Sequence, residues 1–238
     1  LQFSGSNDSL SQGGTTGWAS NTWVHIAASR SGVDNRLFVN GTQVATNNSA
    51  KDYSATATLF IASYSTGTAG FTVNTGAMTG FMDETRITPA KALYTSNFTP
   101  TTTAYAADID TRLLMHFDGG GPGTAGSDTN VGQGQYYHDS STNAVFYDSG
   151  VPKYKSVMEF DGSGDYLDAG NSSDWDFGSA DFTIECWANA DALPDQPRLI
   201  GDSGGNWYFR IGDCSGKKTI SAYNGHFFCD DQHGIVNL

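Results

Sequence analysis

Hydrophobic and polar residues alternate with a period of two along much of the chain, the spacing of β-strands with unlike faces. Across residues 23–29, Trp23, His25 and Ala27 alternate with Val24, Ile26 and Ala28. The following run, RLFVNGTQV, sets Asn40-Gly41 between two short apolar segments. Both residues tolerate the positive φ of a type I′ turn, whose twist matches that of paired strands. Residues 22–44 therefore predict three antiparallel strands.

Further strands are expected at residues 1–5, 57–63 and 80–87, with a minor one at 70–73. In the strand GFMDETRI, Phe81, Asp83, Thr85 and Ile87 oppose Met82, Glu84 and Arg86, so Asp83 and Glu84 are expected on opposite faces. Residues 89–98 read as one short helical turn closed by Thr99-Pro100, and 101–107 (TTTAYAA) as a linker without a core pattern. Later strands are expected at 112–117, 182–189, 198–201, 207–211 and 219–223. Those at 156–160 and 166–169 predict a hairpin around DGSGD. No helical period runs longer than about two turns. The class is all-β, with enough strands to require two packed antiparallel sheets.

Composition narrows the function classes. The 238 residues carry 25 Asp and Glu against 12 Lys and Arg, a net charge of -13. That balance excludes a nucleic-acid partner, since phosphates need Lys and Arg. It leaves carboxylates available for a divalent cation. No apolar run approaches the roughly 18 residues of a membrane span, so membrane insertion is not expected. Three cysteines give no framework: Cys186 reads as a small core residue, and Cys214 with Cys229 as a pair only in an oxidising compartment. The chain opens inside a strand-like segment, without Met or a signal-peptide pattern, and is expected to be a window from something longer.

The trio WVHIAASR, RLFVNGTQV and GFMDETRI resembles the C-terminal half of a laminin G-like domain, in the concanavalin A-like jelly-roll superfamily. LLMHFDG, MEFDGSGDYLDAG and DFTIECWANA resemble the N-terminal half of the same family. The resemblance covers most of the chain and implies a jelly-roll β-sandwich of two antiparallel sheets, with the halves in reverse order. Two tandem partial copies account for that order, 1–105 closing one sandwich and 106–238 opening the next. The alternative is one permuted sandwich built from both. KTISAYNGHFFC resembles LQFSGSNDSLSQ at an offset of about 218 residues, as a tandem array requires.

Candidate chemistry is sparse. Glucanases related to this family set catalytic acids as E-x-D-x-x-E on one strand face; FMDETR lacks that spacing, and retaining hydrolysis needs two carboxyls about 5 Å apart. Catalysis is therefore not expected, and no G-x-S-x-G elbow is present. The resemblance implies a structural Ca²⁺, for which Asp161 and Asp165 on the Gly-rich turn are candidate ligands, with Asp83 a further one if the halves meet. His25, His116, His138, His226 and His233 show no paired metal spacing, and His25 reads as a packed or edge residue rather than a base. Trp23, Trp187 and Trp207 read as core. Trp18, Trp175, Tyr136 and Tyr137 lie in loop-like contexts, where loop packing is the default and rings left exposed would stack on sugars. The sequons at Asn7, Asn40, Asn47, Asn97 and Asn171 are common in so Ser- and Thr-rich a chain.

These observations lead to a non-enzymatic recognition or adhesion module, binding a glycan or a surface protein, repeated in a large surface-exposed protein. Its partners would include neighbouring repeats of the same chain or further copies in a multimer. A structural virion protein, such as a phage tail fibre or capsid-surface appendage, is the alternative. A polysaccharide hydrolase accessory region is the third. Both leading readings place the protein outside the cell or on a virion surface.

Overall fold

The computed structural model describes residues 10–13, 21–54, 58–62, 78–117, 145–147, 157–162, 165–191, 198–202, 207–214 and 217–223. Among them the strands are β1 (Leu10–Gly13), β2 (Val24–Ser31), β3 (Asp34–Val39), β4 (Thr42–Asn48), β5 (Leu59–Ile61), β6 (Thr79–Pro89) and β7 (Leu113–Met115). They continue with β8 (Val145–Tyr147), β9 (Val157–Asp161), β10 (Leu167–Asp168), β11 (Phe182–Ala190), β12 (Arg198–Asp202), β13 (Tyr208–Cys214) and β14 (Lys217–Tyr223). One 3₁₀ turn, Ser173–Trp175, interrupts them, and no α-helix occurs among the described residues. No helix among these residues is long and apolar enough to cross a membrane.

The protein is all-β. Its strands form two antiparallel sheets, ordered β1-β14-β13-β12-β5-β10 and β4-β3-β2-β11-β6-β9-β8, with β7 paired to β6. The β3–β4 hairpin forms as its sequence predicts. Val39 pairs with Thr42 around Asn40 and Gly41, whose φ angles of 48° and 75° are those of the turn.

Strands from early and late in the chain interleave. In the larger sheet β11 lies between β2 and β6, and β6 pairs β9 on its other side. In the smaller sheet β5 lies between β12 and β10. A single apolar cluster joins Ile26, Leu37, Met82 and Ile184 of the larger sheet to Leu59, Ile61, Leu199 and Phe209 of the smaller. Each such side chain contributes about 1.5–3 kcal/mol on burial. Trp175 and Trp207 sit within the same cluster. Their indole N–H groups donate to Gly170 O at 3.1 Å and Trp175 O at 3.0 Å, so neither ring carries an unmet donor into the core.

Three local expectations change. The segments around DGSGD do not pair with each other: β9 joins β6 in the larger sheet, while β10 joins β5 in the smaller. Met158 and Phe160 thus enter the core from one sheet and Leu167 from the other. Residues 90–100 form no helix. Residues 101–107 are not a bare linker, because Tyr105 is buried against the larger sheet. The expected strands at 1–5 and 70–73 lie outside the described residues.

Candidate functional site

The chemistry of the described residues gathers on the outer face of the larger sheet. The period of β2 sends Val24, Ile26 and Ala28 into the core, leaving Trp23, His25 and Ala27 outward. Yet His25 and Ala27 are fully buried. A strap formed by residues 90–107 covers them.

Backbone hydrogen bonds anchor the strap at both ends. Leu93 N donates to Thr183 Oγ1 at 2.8 Å, and Phe98 N to Gly41 O at 2.9 Å. Gln43 N donates to the Asn97 amide at 2.8 Å, and His25 N to that of Asn40 at 3.0 Å, which commits two sequon side chains to the fold. Gly41 is required here by space as well as by φ: a Cβ would lie 1.9 Å from Phe98 O. Under the strap, Tyr94 and Phe98 stack at 3.6 Å between centroids, and Tyr94, Phe98, Tyr105 and Trp187 all meet the His25 ring edge to face.

Glu185 is the hub beneath. It accepts the Tyr94 hydroxyl at 2.8 Å and Arg86 Nε at 2.7 Å, and it faces His25 Nε2 at 3.0 Å. Burial opposes its charge, but the His25 hydrogen bond and the Arg86 guanidinium outweigh that, so its carboxyl lies below the ordinary range. The Tyr94 and Tyr105 hydroxyls move the other way: burial first, and then the Glu185 charge, raise both. With one Arg, one His and two aromatic walls on it, this carboxylate holds the strap down. The geometry is that of a sealed clasp.

The next feature is a bulge in β6. Arg86 pairs with Glu185 and Asp83 with Trp187, so two residues of β6 oppose Cys186 alone. Glu84 takes φ 48° in the process. Because Asp83 and Arg86 both lie opposite outward residues, the bulge places Asp83 and Glu84 on the same face, not on opposite ones. Thr85, paired with the core residue Met115, turns inward instead. The Glu84 carboxylate is fully buried and accepts Tyr105 N at 2.7 Å, while its other oxygen faces His116 Nδ1 at 2.8 Å. His116 is 20% exposed, unlike His25, which is 1% exposed at its side chain.

Past the strap the face opens. Register aligns Trp23, Asn189, Phe81 and Glu159 in one cross-strand row: Val24 pairs with Ala188, Asn189 with Phe81, and Phe81 with Glu159. All four are partly exposed, over about 14 Å at the spacing of neighbouring strands. Trp23 packs on the patch of Tyr105, Leu114 and Trp187, so it belongs to this outer face and not to the core. The Asn189 amide oxygen is itself buried and has no hydrogen-bond partner among the described residues. One step along the strands lie Thr79, its partner Asp161, and Asp191, whose N–H donates to Thr79 O. Burial, then the charges of Asp191, Asp165 and Asp161, push the Glu159 carboxyl above its ordinary range.

The residues singled out from sequence are scattered. Asp165 is buried and spends Oδ2 on Asp161 N at 2.6 Å. Asp161 is exposed. Asp83 is buried, its Oδ1 accepting Glu84 N at 2.9 Å. It stands four positions along β6 from the partner of Asp161, about 13 Å away at the rise of a strand. The three carboxylates therefore do not meet, and among the described residues no group of three or more His, Cys, Asp or Glu is placed to hold a metal ion. Trp175 is fully buried in the core. Trp18, Tyr136, Tyr137, His138, His226, His233 and Cys229 lie outside the described residues. Uninterrupted alternation would put Phe81 on one face with Ile87, a core residue, so neither its outward position nor its alignment with Trp23 and Asn189 is legible in the sequence.

Fold and site define an all-β protein of two packed antiparallel sheets with a strapped outer face and an open aromatic-polar row. No family model, no curated protein and no solved structure matches the chain.

Proposed function

We propose that the chain is a non-enzymatic recognition or adhesion module of a surface-exposed protein, outside the cell or on a virion, and that it binds a glycan on the open part of the larger sheet. The row Trp23–Asn189–Phe81–Glu159 carries this reading. Two aromatic rings offer apolar faces for sugar C–H groups, and an amide and a carboxylate between and beside them offer hydrogen bonds to hydroxyls. Such a mix on rigid strands, with the polar hub sealed away under the strap, suits binding better than turnover.

The proposal extends to the architecture: a concanavalin A-like jelly roll in which residues 1–105 and 106–238 close on one another as one permuted sandwich. The interleaving of β11 between β2 and β6, and of β5 between β12 and β10, supports it. A structural Ca²⁺ on the Asp161–Asp165 turn is a separate proposal, checked by elemental analysis of an extensively dialysed sample.

A glycan array probed with the wild-type chain and with Trp23→Ala tests the function. Binding by the wild type that the folded variant loses is the expected result. Silence of the wild type across a broad panel of neutral, acidic and basic glycans would overturn the reading.

A further inference from the structure

We infer that the edge of β14 is a strand-exchange site where successive copies of this chain are joined, the first strand of one copy closing the sandwich of the copy before it. The inference is independent of the glycan reading.

In this structure β1 fills that edge. Leu10 pairs with Ala222, Ser11 with Ser221, Gln12 with Ile220 and Gly13 with Thr219, while β13 holds the other side of β14. β1 also runs alongside β3 and β4 of the larger sheet, so its place closes the sandwich on that side.

The sequence supplies a second claimant for the same place. Asn224-Gly225 directly follows β14 and is the two-residue turn of a type I′ hairpin. Such a turn pairs Tyr223 with His226. Its register then sets Phe227 opposite Ala222, Phe228 opposite Ser221, Cys229 opposite Ile220 and Asp230 opposite Thr219. These are the places that Leu10, Ser11, Gln12 and Gly13 hold in β1. KTISAYNGHFFC and LQFSGSNDSLSQ, laid end to end, give the same correspondence: Phe227 falls on Leu10, Cys229 on Gln12, and Asn224-Gly225 on Asn7-Asp8. Turn geometry and sequence similarity are separate observations, and they agree to the residue.

A repeating unit explains both. Residues 227–230 are then the β1 of a following copy, and β1 by the same rule belongs to the copy before. Local chemistry favours the exchange. A turn of two residues costs less to close than the ten that join β1 to β2, and Phe-Phe-Cys-Asp suits a strand better than Leu-Ser-Gln-Gly. Only residues 14–20 then separate the closed sandwich from Asn21 of the next, whose N–H donates to Ala190 O at 2.8 Å. Fully extended they reach at most about 25 Å. Faces carrying Trp23 thus recur at short intervals, an arrangement that gains avidity on a repetitive partner.

Native Cys229 makes the test direct. Residues opposite one another on antiparallel strands have Cα atoms about 4.5–5.5 Å apart, within disulfide reach. Two variants are made in a Cys214→Ser background, with Cys186 buried: Ile220→Cys, and Gln12→Cys/Ile220→Cys/Cys229→Ser. Each is oxidised and its peptides are mapped by mass spectrometry. The expected result is a bridge in both, joining positions 220 and 229 in the first and 12 and 220 in the second, with loss of the free thiols concerned. A bridge to position 12 alone would show that β1 owns the edge, and a bridge to position 229 alone that residues 227–230 do. Either outcome overturns the exchange, as does the absence of both bridges. Should Ile220→Cys fail to fold, Leu10→Cys/Ala222→Cys and Ala222→Cys/Phe227→Cys, each with Cys229→Ser, repeat the comparison two residues along the strand.

Discussion

The Tyr94 hydroxyl lies 2.8 Å from Glu185 Oε2, a bond that joins the strap to a strand 91 residues further along the chain. Glu185 also holds Arg86 and His25, so its side chain is the point at which strap, β2, β6 and β11 are tied. Replacing it with Gln leaves a largely buried guanidinium without its charge partner. The expected loss is about 3–5 kcal/mol. Tyr94→Phe removes one hydrogen bond to a charged group and should cost about 1.5–3 kcal/mol. Urea unfolding of both single variants and the double variant checks this, with the double falling short of the sum because the two residues share one network.

Gly41→Ala should destabilise by more than 1 kcal/mol, the direction opposite to that of Gly→Ala at an unstrained site. Two causes act together: φ of 75° at the turn, and a methyl that would lie 1.9 Å from Phe98 O. The strap must lift for the methyl to fit. Amide exchange at Phe98, whose N–H donates to Gly41 O, should therefore accelerate more than exchange at Leu93, which is held by Thr183.

At Glu84 two effects oppose each other. Glycine would relieve a left-handed φ of 48°, a gain of about 1–2 kcal/mol. It would also remove the acceptor for the Tyr105 N–H and for His116. Two charge-assisted bonds at about 1.5–3 kcal/mol each exceed the strain. Glu84→Gly is thus expected to lower the unfolding midpoint, and a rise would show that strain dominates the bulge.

Acid should act with two signs. Glu185 is depressed in the folded state, and Asp108, hydrogen-bonded to Lys91 and Thr111, is lowered to about 2. Stability from such groups is fully present above the ordinary carboxylate range and is lost as pH falls through their folded values. Glu159 is raised, so its ionised form opposes folding and protonation relieves that. Glu159→Gln should consequently be more stable than wild type at neutral pH, with the advantage fading as both are acidified. Thermal unfolding of the two proteins from neutral pH down to pH 2 reads out both signs.

Much of the secondary structure was legible in the residue order. The alternation of Val24, Ile26 and Ala28 against Trp23, His25 and Ala27 marked β2 as a strand with unlike faces but not which face is the core, since Trp23 read as core and lies outside it, and Asn40-Gly41 named a turn that only positive φ permits. The interior role of Trp207 and Cys186 followed from their strands. The bulge was not legible. FMDETR alternates without interruption, and nothing in it marks Glu84 as the extra residue, because the bulge arises from fitting β6 to β11 on one side and to β7 and β9 on the other.

By itself the sequence determined an all-β protein, the position of most of its strands and the acidic character of its surface. These follow from local chemistry: side-chain period, turn residues and ionisable content. Tertiary structure alone decided that residues 90–107 seal His25 and Glu185, that Asp83 and Glu84 share a face, and that Asp161 stands far along the sheet from Asp83. It also drew Trp23, Asn189, Phe81 and Glu159 into one row. Those relations depend on register between strands more than a hundred residues apart in places, and register is set by packing of the whole sheet rather than by any segment's own pattern.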